Sequence, residues 1–87
     1  MWVYVLYSSS LDKFYVGITE DIDRRLTEHN NGKGKFTSKG IPWTLVTTLE
    51  CLNRKEACSL ELRIKNRGIS RYLQDNNLQF SGRSAAR

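Results

Sequence analysis

The chain opens on an unbroken apolar and aromatic run from Trp2 to Tyr7, and both of its alternating faces are apolar. Trp2, Tyr4 and Leu6 point one way, and Val3, Val5 and Tyr7 the other. That pattern predicts a strand from Trp2 to Ser8 that is central or covered on both sides. Ser9, Ser10, Leu11, Asp12 and Lys13 form a polar turn. A second strand follows from Phe14 to Thr19, with Phe14, Val16 and Ile18 on one face and Tyr15, Gly17 and Thr19 on the other. So short a connection predicts an antiparallel hairpin.

Beyond Thr19 the apolar period lengthens. Thr19, Glu20 and Asp21 supply N-cap candidates and first-turn acids for a helix reaching about Asn30, where Asn30, Asn31 and Gly32 can end it. Gly32 to Lys35 reads as a flexible basic loop, and the stretch to Pro42 as irregular. A third strand runs from Trp43 to about Leu49. Asn53-Arg54-Lys55-Glu56 has the form of a capping box for a second helix reaching roughly Asn66, where Gly68 stops or bends the chain. Ser70 is placed to cap a short third helix to about Asp75. The fold class expected is therefore α/β (α+β), a three-stranded, mainly antiparallel sheet flanked by helices, over residues 1–76. Residues 77–87 read as a polar tail.

Eighty-seven residues hold one core and no second domain. Leu, Ile, Val and Phe make up about a quarter of the chain, above the level of a disordered polymer. The net charge of +5 and pI near 9.5 favour an anionic partner, nucleic acid first. The longest apolar run is too short for a membrane span or a signal-peptide core, so the expectation is a soluble, cytoplasmic chain with no membrane partner. Cys51 and Cys58 are not spaced as a metal pair, and read as free, partly buried thiols near a strand-helix junction.

Two helical stripes carry charges where apolar residues belong. Ile22, Arg25, Leu26 and His29 fall on one face of the first helix, with Arg24 and Glu28 elsewhere. Ala57, Leu60, Glu61 and Ile64 form the stripe of the second, and a carboxylate there is costly to bury unless it is paired or binds a cation. Structural readings exist for each: a boundary arginine, a histidine at a helix C-terminus, or a Glu61–Arg25 ion pair.

Trp2-Val3-Tyr4 and Tyr15-Val16-Gly17, with Arg25 ten residues after Tyr15, His29 four further on and a helix-borne Glu61, resemble the GIY-YIG nuclease superfamily from about Trp2 to Ile64. The resemblance implies that Tyr4 activates the attacking water and that Tyr15 helps position nucleophile and phosphate. It makes Arg25 the phosphate ligand, Glu61 the ligand of one divalent ion, Mg²⁺ or Mn²⁺, and His29 a proton shuttle. Gly17 matches the glycine that leaves space beside the reacting group. Phosphodiester hydrolysis suits such a set: arginine presents a fixed fork to phosphate oxygens, and a tyrosine of depressed pKa can deprotonate water. Two departures stand out. Trp2 replaces the first glycine of the signature, and Leu73 occupies the place of the late asparagine of the excision-repair branch.

Lys33, Lys35 and Lys39, interleaved with Phe36 and Trp43, can grip a nucleic-acid backbone, or else form a solvated loop with Trp43 in the core. Arg63, Lys65, Arg67 and Arg71 offer a second, weaker basic surface. The expected function is metal-dependent endonucleolytic cleavage of DNA, with RNA the other substrate, directed by nucleic-acid structure or by a protein partner in settings such as DNA repair. The alternatives are a non-catalytic nucleic-acid-binding module on the same fold and a protein-interaction module.

Overall fold

The structure, a computed structural model, describes residues 1–78. Strand β1 (Trp2–Ser8) lies between β2 (Lys13–Thr19) and β3 (Trp43–Glu50), antiparallel to both. This central position explains why both faces of β1 are apolar. Val3, Val5 and Val16 belong to one core, with Ala57, Ile64 and Leu73 from the helices beneath; Tyr4, Leu6 and Trp43 belong to the other, with Ile22 and Leu26 packed against them. The face assignments of β1 and β2 therefore hold. A bulge in β3, between the Val5–Thr47 and Leu6–Leu45 pairs, lets Val46 join the first core while Leu45 joins the second.

Helix α1 (Ile22–Asn30) begins at Asp21, whose carboxylate accepts the Arg24 N–H at 3.0 Å. Its final residue does more than end the helix. The Asn30 side chain accepts the Trp43 N–H at 2.6 Å and donates to the Trp43 carbonyl at 3.1 Å, tying α1 to the start of β3. The segment expected to be irregular contains a 3₁₀ turn, Thr37–Gly40, packed under Trp43.

Helix α2 (Arg54–Arg67) starts at Asn53 as expected, although Glu56 reaches back to the Leu52 N–H at 2.8 Å rather than to that of the cap. Helix α3 (Ile69–Asp75) follows directly. Ser70 does not cap it: Gly68, at φ 96°, makes the whole turn between the helices, and Ser70 lies inside α3. Arg67 grips Asp75 through Nε at 2.6 Å and Nη2 at 3.1 Å, an exposed ion pair. Cys51 is buried and Cys58 exposed, both as free thiols. Leu78 still packs on the core and donates its N–H to Leu73; the rest of the expected tail lies outside the described residues. Among those residues no helix is long and apolar enough to cross a membrane.

Candidate active site

Tyr4 stands opposite Gly17 in the β1–β2 register, and its ring lies across the space that a side chain at Gly17 would take. Tyr4 is 2% exposed. Its hydroxyl lies 2.9 Å from Nε2 of His29, which the last turn of α1 delivers to the same face. Nδ1 of His29 lies 2.8 Å from the Thr37 hydroxyl. Both His29 and Thr37 are buried, so Tyr4, His29 and Thr37 form a hydrogen-bonded line from the sheet into the loop. Tyr15, half-buried, packs edge-on to His29 with ring centroids 5.1 Å apart, and lies 6.3 Å from Tyr4.

The electrostatics set proton positions. Burial pushes the Tyr4 hydroxyl up to about 12, against the pull of the neighbouring Arg25 guanidinium. A depressed phenol, the state expected of a water-activating tyrosine, is thus not what the protein alone provides. Burial also lowers the His29 pKa, with Arg25 adding to the effect. Tyr4 accordingly keeps its proton at neutral pH and His29 is uncharged.

The depressed His29 value has a consequence for stability. Relative to the ordinary value of 6.5, the unfolded chain binds a proton more readily than the folded one. The stabilisation is complete above 6.5 and is lost as pH falls from there through the folded pKa. Urea midpoints should therefore drop from neutrality into mild acid, and His29→Gln should flatten that part of the curve. A wild-type profile that is already flat there, or an equal slope in the variant, would contradict the assignment.

Arg25 does not pair with Glu61. Its Nη1 bonds Glu28 at 2.9 Å, so Glu28 turns toward the site instead of away from it. That pair raises the arginine's pKa and lowers the glutamate's. Glu61 sits half-buried on the apolar stripe, as expected, and its nearest described cation is Lys65 at 3.5 Å. It is close enough to Tyr4 for its charge to favour the protonated phenol. Among the described residues no three His, Cys, Asp or Glu side chains cluster as a metal cage. A lone, loosely held carboxylate still fits a hydrated Mg²⁺, which keeps most of its waters and takes one or two carboxylates beside substrate phosphate.

The loop separates the expected nucleic-acid contacts into two groups. Lys33, Lys35 and Lys39 are exposed, as is Phe36, which stacks on Tyr15 at 6.4 Å and 25°. Trp43 is buried, its indole N–H donating to the Thr37 carbonyl at 2.6 Å, and it is not available to a ligand. Leu73, in place of the late asparagine, is part of the core.

A family model described as the GIY-YIG catalytic domain matches residues 1–77. The chain belongs to the GIY-YIG family. Its similarity extends to small bacterial proteins of the UPF0213 group within that superfamily. The UPF0213 protein BH0048 of Halalkalibacterium halodurans is 33% identical, over 93% of this chain and 84% of that protein. The UPF0213 protein H16_B0156 of Cupriavidus necator is 37% identical, over 74% and 71%. A solution NMR structure of the UPF0213 protein BH0048 from Bacillus halodurans superposes with a TM-score of 0.55 at 32% identity, covering 92% of this chain and 85% of that one. The GIY-YIG domain is a nuclease domain, so membership carries a nuclease-type fold and a nucleic-acid substrate.

Two participants in the site escaped the sequence reading. Thr37 lies in a segment without periodicity, and helical period alone directs Glu28 away from the Arg25 stripe. Only Glu28 left a trace in the sequence, its three-residue spacing from Arg25.

Proposed function

We propose that this GIY-YIG domain is a divalent-metal-dependent endonuclease that hydrolyses phosphodiester bonds in DNA. The observation that carries the reading is the buried hydrogen bond between Tyr4 and His29. It gives a water proton somewhere to go, which a merely structural tyrosine would not need. A water bound at the Tyr4 oxygen can lose its proton to that oxygen while Tyr4 passes its own to Nε2 of His29, so no free phenolate has to form. Arg25, partly exposed, presents donors to the phosphate once the phosphate displaces Glu28. Tyr15 bounds the position of the nucleophile. Glu61 would hold the divalent ion, which, when bound, supplies positive charge to the phosphoryl and leaving oxygens.

Exposed lysines at 33, 35 and 39 and the exposed Phe36 ring give the surface beside this site a means of holding a backbone and stacking a base. Contacts of this kind do not read base sequence, so the domain selects nucleic-acid structure or relies on a protein partner for placement.

The test is cleavage of end-labelled branched and single-stranded DNA with Mg²⁺, Mn²⁺ or chelator, wild type beside Tyr4→Phe. Metal-dependent cutting that falls by roughly 10²-fold or more in the variant is the expected result. Equal activity in both proteins, or cutting that survives chelation, would remove the mechanism. Salt-sensitive binding without cutting under any metal would identify a non-catalytic binding module instead.

A further inference from the structure

Among the described residues His29 has two hydrogen-bond partners, Tyr4 and Thr37, and together they bear on which ring nitrogen carries its proton. The Arg25 guanidinium lies near enough to the Tyr4 oxygen to act on its pKa, and an arginine offers no acceptor for the Tyr4 proton. Among the described hydrogen bonds the one acceptor within reach of the Tyr4 proton is Nε2 of His29, 2.9 Å away, and we take the proton to point there. In that arrangement Nε2 is bare. An uncharged imidazole with a bare Nε2 has its proton on Nδ1, and the group facing Nδ1 is the Thr37 hydroxyl at 2.8 Å.

We infer that Thr37 is a positioning residue: its hydroxyl accepts the Nδ1–H of His29 and so keeps Nε2 free to take the Tyr4 proton. The loop is built to hold that hydroxyl in place. A side chain at Gly34 would run into the Thr37 hydroxyl and approach His29 Nδ1 to 3.8 Å. The Thr37 carbonyl is fixed by the Trp43 indole, and Trp43 in turn by Asn30 at the end of the helix that carries His29. Thr37 is thus held from two directions at 2% exposure. The same short segment carries the exposed Lys35 and Lys39.

The consequence for turnover rests on the nuclease reading, but the tautomer does not. His29 is the only histidine, so the imidazole ¹⁵N resonances of the labelled protein are unambiguous. At neutral pH the wild type should show a protonated Nδ1 and a bare Nε2. Thr37→Val removes the acceptor with little change of shape and leaves Nδ1–H buried without a partner, so the proton should move largely to Nε2. Thr37→Ser should restore the wild-type pattern. Tyr4→Phe should leave the proton on Nδ1, because Thr37 still accepts it. In cleavage assays kcat should fall on the order of 10- to 100-fold in Thr37→Val, with KM little changed, and recover in Thr37→Ser.

A wild-type proton on Nε2 would overturn the inference, as would a folded Thr37→Val with an unchanged tautomer. A move to Nε2 in Tyr4→Phe would show that the tyrosine alone sets the tautomer. If Thr37→Val does not fold, the wild-type and Tyr4→Phe spectra still decide. Tautomers as expected in a protein that never cuts DNA would uphold the role of Thr37 and remove the nuclease reading alone.

Discussion

Glu61→Ala is expected to remove metal-dependent DNA cleavage, by roughly 10²-fold or more, while leaving the domain as stable as before. The two halves of this expectation have separate origins. On the activity side, Glu61 is the one carboxylate on the apolar stripe of α2, and its charge reaches Tyr4. No described cluster of metal-ligating side chains stands by to replace it. On the stability side, the residue gives up little. Its only described ion pair is with Lys65, at 3.5 Å and one helical turn away, and such pairs are worth about 0.3–0.5 kcal/mol. Alanine's better helix propensity offsets a loss of that size.

A structural role makes the opposite forecast. Were Glu61 half of a buried ion pair with Arg25, truncating it would strand a charge and cost about 3–5 kcal/mol. The geometry argues against this, because Arg25 spends its Nη1 donor on Glu28. Urea unfolding and cleavage, measured on the same preparation, separate the two cases. Lost activity with an unchanged or raised midpoint supports a metal ligand. A large drop in midpoint assigns Glu61 to the fold, and retained cleavage takes it out of the chemistry.

The sheet and the site differ in how much of each was legible in the sequence. Strand faces follow from a period of two, so Val3 and Val5 could be placed on one face of β1 and Tyr4 with Leu6 on the other, while the pairing that brings Val16 to the first of these is seen only in the fold. The helical period likewise put Arg25 and His29 on one stripe and Glu61 on another. Periodicity says which way a side chain leaves the backbone, not where its far end goes. Arg25 and Glu28 are long enough to meet across the stripe boundary, and Arg67 bends back to Asp75. The loop is less legible still. Thr37 reaches His29 because the Trp43 indole and the bare Gly34 shape the path between Gly32 and Pro42, and those contacts have no period. The phenol followed the same logic: a tyrosine in an apolar strand is buried, and burial raises its pKa whatever its chemical role.

Gly17→Ala is expected to destabilise the domain by about 1–3 kcal/mol and to suppress activity at the same time. In the middle of a strand this exchange ordinarily stabilises, since alanine loses less backbone entropy on folding. Here the new Cβ would stand 2.6 Å from the Tyr4 hydroxyl and 2.8 Å from Cζ, too close for either to remain. Tyr4 has no free side to move to. It is 2% exposed, and its hydroxyl is held by His29 at 2.9 Å. Relief must come from shifting the ring, which moves the oxygen away from Nε2, or from spreading the β1–β2 pair. A displacement near 1 Å at a reacting group is enough to lose on the order of 10²-fold in rate. A double-mutant cycle isolates the cause. In a Tyr4→Leu background the colliding phenol is gone, so Gly17→Ala should cost little there, and the coupling between the two positions should be about 1 kcal/mol or more. Equal destabilisation in both backgrounds would mean that Gly17 is required by the strand itself, and its place beneath the Tyr4 ring would then be incidental.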